Sequence, residues 1–166
     1  MKQQWRLSFV IATVVLLVVA GPVAAEEGEG TNHESEKVVK AFMDTWTHGD
    51  VDETVGYLAE DVYYLNVPLE PIKGRAKARE FLAPFFSKDP LIVPFEVHTE
   101  IKQTLSDGGV VMQERVDHFK IAGKEWALPV VGIFEVKNGK IAVWKDYFDM
   151  GQLQPVVTLI DSLKKK

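Results

Sequence analysis

The fold is decided by residues 93–148, which read VPFEVHTEIKQTLSDGGVVMQERVDHFKIAGKEWALPVVGIFEVKNGKIAVWKDYF. Three turn signals interrupt this stretch, at Asp107-Gly108-Gly109, Gly123 and Asn138-Gly139. Glycine reaches the backbone conformations that tight turns need, and Asn-Gly is typical of two-residue hairpins. The stretch therefore predicts four consecutive antiparallel strands, at about 93–104, 109–121, 125–137 and 140–148.

The sequence on either side of this stretch predicts helices and one more strand. Thr31 and Glu34 have the spacing of a capping box, and Gly49 is expected to end the helix that follows. Asp50 is expected to cap a second helix that continues through Leu58 and Ala59. The remaining predicted elements are a strand at 62–67, a helix at 74–87 that Pro84 should kink or shorten, and a closing helix at 155–163.

Helices followed by hairpin-connected strands indicate an α+β domain. We expect a curved, mostly antiparallel sheet with the N-terminal helices packed on one of its faces. The expected boundaries are a polar linker at 26–32, one folded domain at 33–150, and a C-terminal helix and tail at 151–166.

The N-terminal segment has the composition of an export signal. Lys2 and Arg6 precede the apolar run 7–20, Gly21-Pro22 follows, and Val23-Ala24-Ala25 offers small residues for a signal peptidase. The apolar run is shorter than the roughly 20 residues of a membrane-spanning helix. We predict a signal peptide at 1–25, cleaved after Ala25, and therefore an exported protein. An uncleaved N-terminal anchor is the alternative.

Composition limits the chemistry that the chain can use. The 166 residues carry a net charge of −5 and include no cysteine, which excludes disulfides, thiolate metal sites and a cysteine nucleophile. The acidic balance argues against a nucleic-acid partner, because the only basic run is the terminal Lys164–Lys166. The four histidines show no metal-ligand spacing. These observations argue against a metal site, although carboxylates can also be ligands, and we expect no stable membrane partner.

Strand register predicts a charged row on one face of the sheet. A hairpin at Asn138-Gly139 pairs Lys137 with Lys140, and hence Val131 with Asp146. A three-residue loop at 122–124 would pair Arg115 with Val131. The predicted row therefore runs from Arg115 through Val131 to Asp146, with Asp117 one step along; the same face carries Ala127, Ile133, Ala142, Trp144 and Phe148.

Two carboxylates that share one guanidinium among apolar side chains suit proton transfer. Each acid changes the proton affinity of the other, so that one can act as acid and the other as base at the same pH. A structural ion pair is the alternative interpretation. Pro129 predicts a bulge in its strand, which would turn Asp117 away from Asp146, and Asp149 has the opposite parity and is expected to be structural. Tyr64 and Asn66 share a face with Val62, although an Asn before a Pro turn often serves the turn.

Four segments together resemble the limonene-1,2-epoxide hydrolase family. They are Tyr64-Leu65-Asn66, Glu114–Phe119, Leu128–Gly132 and Trp144–Asp149, and the resemblance runs in order over about residues 33–150. The Arg-x-Asp and Asp-Tyr-Phe-Asp segments make it specific. The resemblance implies a cone-shaped α+β barrel with a six-stranded mixed sheet, a homodimer, and a catalytic domain at 33–150 that opens epoxides to diols without metal or cofactor.

The resemblance also implies roles for five residues. Asp146 would be the base that activates water, with Tyr64 and Asn66 holding that water. Asp117 would protonate the epoxide oxygen, and Arg115 would lie between the two carboxylates.

The bulky candidate pocket residues imply a small apolar epoxide as substrate, with water as co-substrate; they are Phe85, Trp126, Leu128, Trp144 and Phe148. Two alternatives remain, a ketosteroid-isomerase or polyketide-cyclase type enzyme and an exported apolar-ligand-binding protein.

Overall fold

The computed structural model describes residues 26–48, 50–87, 95–121 and 123–164, so the predicted signal peptide lies outside the described residues. The helices are α1 (Glu26–His48), α2 (Val51–Gly56), α3 (Arg75–Leu82) and α4 (Gln154–Lys164), with 3-10 turns at Ala83–Phe86 and Met150–Leu153. The strands are β1 (Leu58–Val67), β2 (Ile72–Lys73), β3 (Phe95–Asp107), β4 (Val110–Ile121), β5 (Lys124–Lys137) and β6 (Lys140–Tyr147). Among the described residues, no helix combines the length and the apolar character needed to cross a membrane.

All six strands form one sheet in the order β2-β1-β6-β5-β4-β3. β1 runs parallel to β6, and the other neighbours are antiparallel. The α+β fold with a mixed, mostly antiparallel sheet is therefore confirmed. The parallel pairing places Tyr64 beside Trp144 and Asn66 beside Asp146, so β1 lies next to β6 although the two strands are far apart along the chain.

The core lies between α1 and the inner face of the sheet. Phe42 on α1 is fully buried and meets Trp144 edge-on, with ring centroids 5.0 Å apart. It also contacts Phe134 of β5, at 6.1 Å. Such edge-to-face contacts add to the free energy gained by burying the rings. Trp144 belongs to this cluster and also lines a cavity over the inner face.

Two helix boundaries differ from the predicted ones. α1 begins at Glu26, so the predicted linker 26–32 is helical. α2 ends at Gly56, and β1 begins at Leu58, which is fully buried in the core. The predicted effect of Pro84 is confirmed, since α3 gives way to a 3-10 turn at Ala83. Asp50 caps α2 as predicted, accepting from the Glu53 amide at 2.9 Å.

The hairpin at Asn138-Gly139 is confirmed, but the predicted register along β5 is wrong by one residue on each side. Lys137 pairs with Lys140, yet a shift between Glu135 and Val136 makes Gly132, not Val131, the partner of Asp146. On the other side Ile121 pairs with Lys124, so the connecting loop is shorter than predicted. Arg115 therefore pairs with Val130, and Asp117 with Leu128.

The two register errors cancel for the charged residues, because side chains alternate between faces with a period of two. Arg115, Asp117 and Asp146 still share one face, but the β5 residues on that face are Leu128, Val130 and Gly132. The predicted Ala127, Val131 and Ile133 lie on the other face.

The bulge predicted at Pro129 is also wrong, since the register from Val110 to Ile121 is continuous. Pro129 lies beyond the last β5–β6 pair, Val131 with Tyr147. The strand is paired on one side only there, where a proline is tolerated.

Candidate active site

A cavity of about 310 Å³ opens over the inner face of the sheet. Its walls are largely apolar side chains from α1, β4, β5, β6 and α4. Its polar part is formed by six residues of four strands, Tyr64, Asn66, Thr99, Arg115, Asp117 and Asp146. All five residues that sequence reasoning singled out therefore lie around one cavity, together with a threonine that it missed.

Arg115 joins the two carboxylates. Its Nε donates to Asp117 Oδ1 at 2.9 Å, and its Nη2 donates to Asp146 Oδ2 at 2.7 Å. The side chain of Arg115 is only 2% exposed. Burial alone would lower the pKa of Arg115, but the two carboxylates more than offset this and raise it, so the guanidinium stays charged.

The strand order explains how one side chain reaches both acids. Asp117 lies two residues along β4 from Arg115, on the same face, and Asp146 lies on β6. β5 separates β4 from β6, so the backbones that carry Arg115 and Asp146 are about 10 Å apart. An arginine extended across β5 spans that distance, and its planar fork serves both acceptors at once.

The two carboxylates have different surroundings. The side chain of Asp146 is 7% exposed and that of Asp117 is 22% exposed. Burial raises the pKa of Asp146 above its ordinary value, although the Arg115 guanidinium opposes the shift. Asp146 Oδ1 is buried without a hydrogen-bond partner among the described residues. Asp146 thus keeps capacity to accept a hydrogen bond from a small polar molecule.

Tyr64 and Asn66 lie beside Asp146 because β1 runs parallel to β6. The Tyr64 ring stacks on Trp144, with centroids 3.9 Å apart, and its hydroxyl accepts a hydrogen bond from Asn66 Nδ2 at 2.7 Å. Burial, and then the Asp146 carboxylate, raise the pKa of Tyr64, so the phenol stays protonated. Asn66 is therefore part of a polar group at the cavity, although it also precedes the turn at Pro68.

Thr99 is the polar cavity residue that sequence reasoning missed. Its hydroxyl donates to Asp117 Oδ1 at 3.1 Å, on the same oxygen that Arg115 contacts. Thr99 pairs with Asp117 in the β3–β4 ladder. Counting outward from Gly108-Gly109 could have suggested this pair, but a bulge between Ile101 and Gln103 breaks such a count.

The predicted apolar lining is partly right. Leu128, Trp144, Phe148 and Phe85 line the cavity, whereas Trp126 stacks against Phe119 beside a neighbouring hollow of about 590 Å³. That hollow is larger than the cavity, but its lining residues do not include Arg115, Asp117 or Asp146. Sequence reasoning missed the α4 side chains that cover the cavity, which include Val156 and Ile160. Helix periodicity shows which face of α4 is apolar but not where it packs.

Asp149 has the structural role that its parity predicts. It is exposed, and its carboxylate caps the 3-10 turn at Met150–Leu153 by accepting from the Gly151 amide at 2.8 Å. Lys145 lies outside the cavity, near the Tyr63 ring. Within the described part of the chain, no three His, Asp or Glu side chains are grouped to hold a metal ion.

The cavity thus combines two acids, a permanently charged arginine and a phenol–amide pair. A carboxyl that gives a proton and a carboxylate that takes one can act on opposite ends of a single bound molecule. The apolar walls exclude bulk water, which strengthens the interactions between these polar groups.

Comparisons with known proteins give matches over most of the chain. The limonene-1,2-epoxide hydrolase catalytic domain family matches residues 33–157. The epoxide hydrolase EphG of Mycobacterium tuberculosis is 32% identical over 127 residues, which cover 74% of this chain and 81% of that protein. The structure of a limonene-epoxide-hydrolase-like epoxide hydrolase from M. tuberculosis matches with a TM-score of 0.64 and 29% identity, over 79% of this chain and 98% of the other.

A more distant structure shares the fold alone. A protein of ketosteroid isomerase-like fold from Catenulispora acidiphila matches with a TM-score of 0.61 at 20% identity, covering 72% of this chain and 90% of the other. At this identity the likeness shows a shared fold and carries no statement about activity. The family match extends over most of the domain and includes all five candidate residues. The chain belongs to the limonene-1,2-epoxide hydrolase family, whose membership supports epoxide hydrolysis as its activity.

Proposed function

We propose that this protein hydrolyses a small apolar epoxide to a vicinal diol in one step, by acid and base catalysis on a water molecule. The observation that carries the proposal is the bridge from Arg115 to both Asp117 and Asp146 beside the apolar cavity. Each carboxyl group is held at a fixed position, and the two approach the cavity from different strands.

Asp146 is the base in this proposal. Water is a weak nucleophile, so a proton must leave it as its oxygen attacks the epoxide carbon. Asp146 is nearly buried and retains an oxygen without a described partner. A water that donates to Asp146 can also donate to the side-chain oxygen of Asn66 and accept from the Tyr64 hydroxyl. The raised pKa of Tyr64 keeps this phenol a donor.

Asp117 is the acid. As the C–O bond of the ring breaks, the epoxide oxygen becomes an alkoxide, and a proton from Asp117 converts it to a hydroxyl group. Arg115 Nε and Thr99 Oγ1 both donate to Asp117 Oδ1, which leaves Oδ2 to carry the proton. Thr99 therefore helps to decide which oxygen of the acid faces the substrate.

The proton balance closes over one turnover. Water adds across the C–O bond, one of its protons goes to Asp146, and the proton of Asp117 goes to the product. The cycle ends when Asp146 loses a proton and Asp117 regains one. Arg115 contacts both carboxylates throughout, so a single positive charge serves either acid when it is ionised.

The cavity supports an apolar substrate. Its volume of about 310 Å³ is at the low end of the range for small-molecule sites. Aromatic and aliphatic side chains such as Trp144, Leu128 and Val156 form much of the wall. A compact terpene-like or aryl epoxide fits these properties better than a polar or charged one.

Isotope labelling in a single turnover tests the mechanism. Enzyme in excess over limonene oxide, styrene oxide or cyclohexene oxide is mixed in water enriched in oxygen-18. Direct attack by water places the label in the diol during the first turnover, whereas an ester intermediate would place an unlabelled carboxylate oxygen there. Unlabelled diol would overturn the one-step mechanism. No diol from any epoxide would contradict the proposal and favour the isomerase-like or ligand-binding alternative.

We also propose a homodimer that forms through the outer face of the sheet. An outer patch of exposed apolar side chains supports it, namely Leu105, Val110, Met112, Val131 and Tyr147, which are 38 to 56% exposed. The strand register places all five on the outer face, and exposed apolar side chains that share one face often mark a protein–protein contact. Light scattering should give twice the chain mass, and Met112→Lys should reduce it to one chain. Leu69→Lys, at an exposed leucine outside the patch, is the matched control.

We further propose that the chain is exported and cleaved after Ala25. The support is the basic, apolar and small-residue pattern of residues 1–25. The full-length chain should be recovered outside the cytoplasm of a bacterial host, with Glu26 as its first residue by N-terminal sequencing. Recovery of the intact chain in the cytoplasm would contradict export, and recovery of an intact membrane-bound chain would support the anchor alternative.

A further inference from the structure

Gly132 lies where the side chain of Arg115 crosses β5. It pairs with Asp146 of β6 and is buried on the inner face. A Cβ built on Gly132 would overlap Arg115 Nη1 and would lie 3.1 Å from Asp146 Oδ1. It would also lie 3.0 Å from Phe134 Cε2. Of the glycines whose surroundings the structure describes, Gly132 alone has a neighbour within hard overlap.

The backbone at Gly132 does not itself require glycine. Its φ is outside the left-handed region that favours glycine, unlike those of Gly123 and Gly139 in the hairpin loops. Glycine inside a strand costs about 1 kcal/mol relative to alanine. A glycine there often marks a site where another group comes close to the backbone. At Gly132 the close group is the guanidinium.

Arg115 cannot move aside cheaply to make room for a larger residue. An overlap with the end of a long side chain is usually relieved by a small rotation. Here the guanidinium is held by Asp117 at Nε and by Asp146 at Nη2, and the side chain is almost completely buried. A shift of Nη1 away from β5 would lengthen at least one of these two hydrogen bonds.

We propose that Gly132 is a positioning residue, whose missing side chain lets the Arg115 guanidinium lie across β5 and bridge Asp117 to Asp146. The inference deepens the proposed function and rests on it for its activity readout. Gly132 does not touch the reacting atoms and acts through Arg115. Any residue with a Cβ would separate the guanidinium from one of the two carboxylates.

Gly132→Ala tests the activity side of this inference. We expect kcat to fall at least about 30-fold while KM changes less than about threefold, because the apolar walls are unchanged. The charged or titratable groups that act on Asp146 are Arg115, Asp117 and Tyr64. Since only Arg115 lowers the pKa of Asp146 among them, its displacement should move the acid limb of the pH–kcat profile to higher pH.

Gly56→Ala is the matched control, because a Cβ on Gly56 meets no atom within 4 Å and its φ is not left-handed. We expect its kcat and pH profile to match those of the wild type. A Gly132→Ala protein whose kcat and acid limb also match the wild type would overturn the inference.

A stability cycle tests the inference without any substrate. Lysine lacks the Nη1 branch, so Arg115→Lys should remove the overlap with a Cβ at position 132. We expect Gly132→Ala to raise the unfolding equilibrium constant at least tenfold in the wild type but less than threefold in the Arg115→Lys background. Equal effects in both backgrounds would overturn the inference and assign the effect to Phe134 instead.

Failure of a variant to fold and absence of epoxide hydrolysis would each still leave the inference testable. If Gly132→Ala alone does not fold, the inference predicts that Gly132→Ala combined with Arg115→Lys does fold. A double variant that also fails to fold would contradict the inference. If no epoxide is hydrolysed by the wild type, the proposed function fails. The stability cycle still decides whether the bare backbone at Gly132 accommodates Arg115.

Discussion

The Arg115 bridge has an aspartate at each end, one on β6 and one on β4, and the two aspartates have different surroundings. At the β6 end, Asp146 is nearly buried beside the stacked rings of Tyr64 and Trp144. At the β4 end, Asp117 is about one-fifth exposed and shares its Oδ1 between Arg115 and Thr99. Two chemically identical carboxylates with one common partner therefore meet different environments.

This difference shows how environment, not residue type, assigns a task to a carboxyl group. Burial makes the ionised form of Asp146 costly, which increases its tendency to take up a proton. The phenol and amide beside it suit a held water. Asp117 receives two hydrogen bonds on one oxygen and keeps the other for a proton. Substitutions at the two aspartates and at the residues that contact them should separate these environments.

The largest effect should come from removing either acid. Asp146→Asn and Asp117→Asn should each lower kcat by at least about 1,000-fold, since the amide neither takes nor gives the required proton. Steady-state diol formation measures the loss, and circular dichroism confirms folding. Asp149→Asn is the matched control, because Asp149 belongs to the same Asp-Tyr-Phe-Asp segment but caps an exposed turn. Either variant that keeps more than a tenth of the activity would contradict the role proposed for the carboxyl group it replaces.

A change of Arg115, which contacts both aspartates, should affect the two sites together. Arg115→Lys should lower kcat about 100-fold and the free energy of unfolding by about 2 kcal/mol, because one ammonium cannot replace the fork between two buried carboxylates. Arg79→Lys is the control, at an exposed pair in which Arg79 donates to both Asp52 oxygens at 2.6 and 3.1 Å. An exposed pair contributes little, so this change should alter stability by less than about 1 kcal/mol. Equal losses at both sites, measured by urea unfolding, would refute the importance of burial.

The stability of the β6 end should depend on pH. The pKa of Asp146 is raised in the folded protein, so the folded state binds this proton more tightly than the unfolded state. The contribution of Asp146 to stability is therefore fully present below the ordinary value of about 4 and is lost as the pH rises through the folded-state value. The free energy of unfolding of Asp146→Asn, relative to wild type, should rise between pH 4 and 8. A constant difference over this range would contradict the burial of a charged carboxylate.

The smallest effect should come from Thr99 at the β4 end. Thr99→Val removes one hydrogen bond to Asp117 and keeps the shape of the side chain. A hydrogen bond of about 1 kcal/mol corresponds to a loss of about fivefold in kcat. Thr99→Ser should restore most of the activity because it restores the hydroxyl. A loss that serine does not repair would indicate that Thr99 acts through packing.

Much of the fold was predictable from local signals. Asn138-Gly139 and Gly123 mark hairpins because few other residues adopt the backbone conformations of these turns, and the strands they connect are confirmed. The helix ends were less predictable. Leu58 fits the apolar spacing of a helix, but the pairing of β1 with β6 draws it into a strand. The spacing of apolar residues along the chain carries no information about this pairing between distant strands.

The candidate site was predictable in part for a reason specific to sheets. One-residue errors on both sides of β5 exchanged the two faces of that strand but left Arg115 and Asp146 on the same face as each other. Because the predicted face of β5 was the wrong one, Gly132 and Val130 were not among the predicted site residues. Resemblance to a family supplied Tyr64 and Asn66, which the chain order places far from Asp146.

The strand meander, its main turns and the polar residues available for acid and base chemistry follow from local sequence. These features depend on neighbours along the chain, such as turn glycines and alternating side chains. The burial of Asp146, the contact of Thr99 with Asp117 and the passage of Arg115 over Gly132 arise only in the folded sheet. These features depend on register across three strands, where a shift of one residue reverses a face, and no local pattern fixes such a shift.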